Sequence, residues 1–115
     1  MDERQVILES ALNENTEALI ALEREHARMV EASLDSNADD EHDPEGATIA
    51  FEREQLTAAL TRTRAARSRI EEAMTELTAG RYGICVSCGQ PIAVERLQAR
   101  PLATLCISCA QRTSP

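Results

Sequence analysis

All of the cysteines lie in the last third of the chain, within the stretch RYGICVSCGQPIAVERLQARPLATLCISCA, residues 81–110. They form two C-x-x-C pairs, Cys85 with Cys88 and Cys106 with Cys109, and 17 residues separate the pairs. Each C-x-x-C offers two sulfur ligands from one tight turn, and two such turns complete the tetrahedral shell that zinc prefers. The spacing therefore predicts one structural Zn²⁺ with no coordination position left open for catalysis.

The compartment in which the chain works bears on the alternatives to zinc. No apolar run approaches the roughly 20 residues that cross a bilayer, and the start MDERQVILES lacks the basic and apolar segments of a secretory signal. We therefore expect a cytoplasmic protein without a membrane segment, in a compartment where thiols are kept reduced. Metal binding is favoured there, with a thiol redox switch and an iron–sulfur cluster as the alternatives.

The residues before the cysteines carry the periodicity of helices rather than of strands. Asp2 is a plausible N-cap, and no Pro or Gly precedes Pro44, so a first helix is predicted to run to about Asp35. Apolar or small residues recur at alternating steps of four and three, which is typical of a coiled-coil seam. The seam positions are Leu8, Leu12, Asn15, Leu19, Leu22, His26, Met29 and Ser33.

A second helix is predicted from Pro44, capped by Asp43, to Gly80, where a left-handed residue would end it. Its seam consists of Ile49, Leu56, Ala59 or Leu60, Thr63, Ile70, Ala73 or Met74, and Leu77. Two helices of nearly equal length joined by a short turn predict a mostly α fold: an antiparallel coiled-coil hairpin over residues 1–79, with its tip at about 36–47, followed by a zinc-ribbon-like module over 80–115. At about 1.5 Å per residue each arm would be roughly 50 Å long. An ordinary hairpin, packed on itself or dimerised, fits the same periodicity.

Charge is distributed unevenly along the chain. Residues 1–46 contain 3 Arg and 14 acidic residues, residues 47–79 contain five of each, and residues 80–115 contain four Arg and one Glu. The acidic first segment would be repelled by phosphate backbones, so we do not expect direct sequence-specific DNA binding.

The stretch GRYGICVSCGQPIAVERLQARPLATLCISC resembles the zinc-finger signature of the DksA/TraR family. That signature has Tyr-Gly or Phe-Gly before the first cysteine, then C-x-x-C-G, an Ile, R-L-x-A-x-P and the second C-x-x-C. The upstream helical hairpin is similar to the coiled coil of the family. The resemblance implies a regulator that binds bacterial RNA polymerase, enters its secondary channel with the coiled-coil tip near the active site, and has no catalytic residue of its own.

The resemblance also implies roles for individual positions, counted without gaps from Cys85. The tip motif of the family has the form D-x-x-D-x-A; Glu45 and Ala47 fall at its second acid and its alanine. His42 stands at the first Asp, and Asp43 with Pro44 resembles the Asp-Pro of the family shifted by one residue.

Three arginines fall where the family has functional basic residues. Arg62 corresponds to a polymerase contact, and Arg69 and Arg100 to contacts with the alarmone guanosine tetraphosphate, ppGpp. A further basic position of the family is Ala110 here. Without the resemblance, these arginines are interpreted as part of a solvated helix face.

Three other functions fit parts of the pattern. Gre transcript-cleavage factors also use an acidic coiled-coil tip, and this chain has carboxylates there at Asp39, Asp40, Glu41, Asp43 and Glu45. A zinc-ribbon adaptor for another protein partner would need only the cysteine module. Direct DNA binding would have to use the basic C-terminal module alone.

Overall fold

The computed structural model describes residues 2–36 and 44–113, and the secondary structure it assigns within them is helical. Two long helices come first, α1 over Glu3–Ser36 and α2 over Pro44–Thr78. Two short helices follow, α3 over Val94–Ala99 and α4 over Ile107–Thr113. The mostly α fold predicted from the sequence is confirmed, and none of the described helices combines the length and the apolar composition needed to cross a bilayer.

The ends of both long helices follow the capping signals of the sequence. The backbone N–H of Arg4 donates to the Asp2 carboxylate at 3.2 Å, as expected of an N-cap. At the end of α2, Gly80 has a φ of +79°. The N–H of Gly80 donates to Leu77 O at 3.1 Å and that of Arg81 to Glu76 O at 2.8 Å, the pair of bonds that defines a Schellman cap. Asp43 lies outside the described residues.

The predicted seam is buried or half-buried along most of its length. Asn15 is 9% exposed, and its Nδ2 donates to the Thr63 carbonyl oxygen across the helix pair at 2.9 Å. Two predicted seam residues, Ser33 and Ile49, are instead exposed, Ile49 by 47%. Both lie within two turns of the helix ends that flank residues 37–43.

Packing divides the chain into two compact units, residues 1–14 with 67–115, and residues 15–66. The first unit combines the cysteine module with the start of α1 and the end of α2, which makes the two helices antiparallel. The second unit contains the Asn15 bond and an exposed ion pair between Arg64 and Glu23 at 3.3 Å. The predicted division into a hairpin over residues 1–79 and a zinc-ribbon-like module over 80–115 stays a prediction.

The core of the first unit joins α1 to the cysteine module. Leu8 and Leu97 are fully buried, and Ile92 and Cys85 are 1% exposed. Tyr82 and Cys109 complete this cluster of buried residues, and Met74 and Leu77 of α2 pack against it. At about 25 cal/mol per Å² of apolar surface, complete burial of a leucine contributes about 2 kcal/mol. The start of α1 is therefore held by the same core that contains two of the four cysteines.

A close approach of Arg4 to Gly83 tightens this junction. Gly83 is buried with a φ of +81°, and a Cβ built on it would lie 2.5 Å from Nε of Arg4 and 3.3 Å from a methyl carbon of Leu97. Nε of Arg4 is itself buried and donates to no partner among the described residues. Only glycine combines this backbone conformation with the space that the Arg4 side chain occupies.

We expect Gly83→Ala to destabilise the protein more than Gly80→Ala. Both positions have a positive φ, which costs about 1–2 kcal/mol with a side chain, but Gly80 has no atom within 4 Å of the added Cβ. Overpacking against Arg4 and Leu97 adds about 1–3 kcal/mol at Gly83 only. Thermal unfolding of zinc-loaded protein, followed by circular dichroism, measures the difference.

The double variant Arg4→Ala with Gly83→Ala provides the control, because it removes the clash with Arg4 and keeps the backbone cost and the contact with Leu97. It should unfold at a temperature between those of Gly83→Ala and Gly80→Ala. Equal melting temperatures for the two glycine variants alone would contradict the packing role of Gly83.

Candidate metal centre

The first C-x-x-C is held in a turn by backbone hydrogen bonds. The N–H of Gly89 donates to Cys85 O at 2.9 Å, and the N–H of Cys85 donates to Gln90 O at 2.8 Å. Gly89 has a φ of +77°, so the residue after the first pair is the glycine that this turn requires. An isolated bridge between Ile84 and Pro91 closes the base of the turn.

The second C-x-x-C lies at the start of α4. The N–H of Ala110 donates to Cys106 O at 2.9 Å, which places Cys106 at the N-cap of this helix. The N–H of Cys109 points at the Cys106 sulfur at 3.5 Å. A bond from the N–H of Val86 to Thr104 O, 2.9 Å long, connects the first turn to the segment before the second.

These elements bring the four sulfurs together, all within 4.8 Å of one another. Sγ of Cys88 and Sγ of Cys106 are 3.8 Å apart. A tetrahedral zinc with bonds of about 2.3 Å places its sulfurs about 3.8 Å apart, so the spacing fits this ion. Cys85 and Cys109 are buried, Cys106 is half-buried and Cys88 is exposed.

The surroundings of the thiols favour deprotonation at one side of the cluster. Hydrogen bonds from the backbone N–H of Cys106, and then of Cys88, lower the pKa of Cys85 to about 6. Hydrogen bonding with the Cys106 sulfur raises the pKa of Cys109 to about 12. Deprotonation is therefore easier at Cys85 than at Cys109. A zinc ion held by the four cysteines would require all of them as thiolates, so its binding would be coupled to proton release.

Comparison with known proteins identifies this site. Residues 80–115 match the family model of the prokaryotic dksA/traR C4-type zinc finger. The chain carries a zinc finger of the DksA/TraR family. The predicted family resemblance is confirmed, and so is the prediction of one structural zinc. The four predicted ligands, Cys85, Cys88, Cys106 and Cys109, form a cluster that could hold the ion.

The similarity extends beyond the finger. Transcription factor DksA2 from Pseudomonas aeruginosa has a solved structure that superposes on 96% of this chain and 81% of its own, with a TM-score of 0.73 and 26% sequence identity. The RNA polymerase-binding transcription factor DksA of Haemophilus influenzae is 36% identical over 69 residues, which are 57% of this chain and 48% of that protein. DksA of Escherichia coli K12 is 44% identical over 41 residues, 36% of this chain and 27% of that protein. The matched segments thus span about half or less of the curated relatives.

The other predicted site residues are distributed over both compact units. Arg62 lies in the second compact unit and Arg69 and Arg100 lie in the first, and all three are exposed. Arg69 also lines a groove of about 230 Å³ with Tyr82, Val86 and Leu102. At the tip, Ala47 is exposed on α2 and Glu45 lies in its first turn, whereas His42 and Asp43 fall outside the described residues.

Sequence reasoning found the ligands and missed the residues that support them. Tyr82 donates its hydroxyl to Pro101 O at 2.8 Å, and Nε of Arg96 donates to Leu105 O at 2.8 Å. Both residues belong to the motif on which the family resemblance rests. The motif marked the positions, but their partners are brought near only by the fold.

We expect Cys88→Ser to lose the zinc and to unfold residues 81–110, because binding energy at a structural zinc site is folding energy. The exposed Ser108 lies in the other C-x-x-C, and Ser108→Ala is the matched control, which should keep one zinc per chain. Metal analysis of the purified variants and their thermal unfolding test this. A Cys88→Ser protein with an unchanged melting curve would show that zinc does not hold the fold.

Proposed function

We propose that this chain binds bacterial RNA polymerase and regulates transcription initiation, without a catalytic residue of its own. The observation that carries the proposal is the likeness to DksA2 over 96% of the chain, which joins the family zinc finger to a helical hairpin of the same fold. The curated relatives that match are themselves named RNA polymerase-binding transcription factors. Since bacterial polymerase is cytoplasmic, the proposal places this chain in the cytoplasm.

In the proposed complex the hairpin enters the secondary channel, with Asp43, Glu45 and Ala47 facing the active site and Arg62 contacting the polymerase. Helices α1 and α2 have 34 and 35 residues, which is about 50 Å each at about 1.5 Å per residue. The excess of acidic residues over residues 1–46 disfavours contact with the nucleic acids of the complex and leaves protein surfaces as its partners. Arg62 and Ala47 are exposed and accessible to such a partner.

The proposal extends to the alarmone ppGpp as a ligand at the interface with the polymerase. Arg69 and Arg100 are exposed, and neither takes part in the ion pairs observed between described residues. Both guanidinium groups are therefore available to phosphate oxygens, which they bind bidentately. Ala110 offers no charge at the third basic position, so the affinity for the alarmone should be lower than with three cations.

The direct test is a binding titration of the zinc-loaded protein with core RNA polymerase, repeated with a Gre factor as competitor for the secondary channel. We expect saturable binding that the Gre factor displaces. Binding that survives saturating competitor would place the interface outside the channel. An absence of binding would leave a zinc-stabilised hairpin with another protein partner.

The test of the alarmone is the effect of ppGpp on promoter-complex lifetime in the presence of the protein. Arg100→Ala should weaken that effect, because one charge-assisted contact contributes about 1.5–3 kcal/mol. Arg112 is also exposed in the same module and serves as the matched control when replaced by alanine. An equal response of both variants would exclude Arg100 from the alarmone site.

A further inference from the structure

Arg96 lies on α3, the short helix between the two C-x-x-C pairs. Its side chain is half-buried, and its Nε donates to the carbonyl oxygen of Leu105 at 2.8 Å. A hydrogen bond from a charged donor is shorter and stronger than one between neutral groups.

This bond acts on a zinc ligand through the peptide plane. The Leu105 carbonyl and the Cys106 nitrogen belong to one peptide group, which is rigid and planar. Holding the oxygen therefore fixes the orientation in which the chain enters Cys106. Cys106 is also the N-cap of α4, and its sulfur accepts a hydrogen bond from the Cys109 N–H. The orientation of Cys106 therefore affects the position of both cysteines of the second C-x-x-C.

Helix α3, which carries Arg96, packs in the same buried cluster as two of the cysteines. Leu97, the next residue, is fully buried in the cluster that contains Cys85 and Cys109. The N–H of Arg100 donates to Arg96 O at 2.7 Å and ends α3 at that point. Arg96 thus connects the buried side of the metal centre to Cys106, which is only half-buried.

The positive charge of Arg96, like its hydrogen bond, favours the metal-bound form of the site. A zinc ion with four thiolates has a formal charge of −2, and a guanidinium group keeps its positive charge at every accessible pH. Arg81, another arginine of this module, is engaged by the Glu76 carboxylate at 2.7 Å. Arg96 is bonded instead to the backbone next to a ligand.

We propose that Arg96 is a positioning residue of the zinc site, which holds Cys106 in its ligating orientation and slows the release of the metal. Supporting residues around metal ligands typically change metal affinity by about 10–100-fold when they are removed. The role is separate from polymerase binding, so it can be tested on the protein alone.

The experiment measures zinc transfer from the 115-residue chain to the chromophoric chelator 4-(2-pyridylazo)resorcinol. Arg96→Ala should weaken zinc retention by about 10–100-fold, with helix content in excess zinc unchanged by circular dichroism. Arg112→Ala, which removes the same charge from the same module, should match the wild type. Equal zinc retention in the two variants would overturn the proposal.

Cobalt substitution distinguishes positioning from a general loss of stability. We expect Arg96→Ala saturated with Co²⁺ to show altered ligand-field bands together with weaker cobalt affinity. A residue needed only for stability would lower the melting temperature and leave the spectrum and the cobalt affinity as in the wild type, which would contradict the proposal.

If Arg96→Ala does not fold, Arg96→Lys tests the positioning role instead. Lysine keeps the charge and the aliphatic stem but lacks the planar Nε donor, so zinc retention should fall between that of wild type and that expected for Arg96→Ala. Retention equal to wild type would show that the bond to Leu105 is not needed.

Discussion

Four sulfurs that lie within 4.8 Å of one another hold the first compact unit together, and two of them belong to its hydrophobic core. The metal centre and the core are therefore one structure, in which Cys85 and Cys109 pack with Leu8 from the other end of the chain. Few aromatic residues are available to enlarge this core, since Tyr82 is buried and Phe51 is 62% exposed. A bound zinc would add the stability that apolar burial alone gives poorly to a unit of this size.

The second compact unit depends on the seam between α1 and α2. Its buried apolar residues are Leu56 and Leu60, and it also buries the amide of Asn15, whose Oδ1 has no partner among the described residues. A buried polar residue at such a seam lowers stability and favours one register over others. The bond from Asn15 to the Thr63 carbonyl oxygen joins the two helices at one position along this seam.

The features that could be predicted from the sequence are those that depend on local chemistry or on strict residue spacing. The ligand set follows from two C-x-x-C pairs, and the helix ends follow from Asp2, Pro44 and Gly80, whose backbone preferences act within one turn. The exposure of Ile49 was not predicted, because periodicity shows which face of a helix is apolar but not how much of that face is covered. Likewise, the contacts of Arg4 with Gly83 and of Arg96 with Leu105 join residues whose proximity exists only in the fold.

The functional account rests on the hairpin and the zinc finger acting as one protein on RNA polymerase. A photoreactive p-benzoylphenylalanine in place of Ala47, which is exposed near the tip, tests this most directly. The account predicts crosslinks from this position to the polymerase subunit regions that surround the secondary channel and the active site. Crosslinks confined to the outer surface of the polymerase, or formed equally well after saturation with a Gre factor, would contradict it.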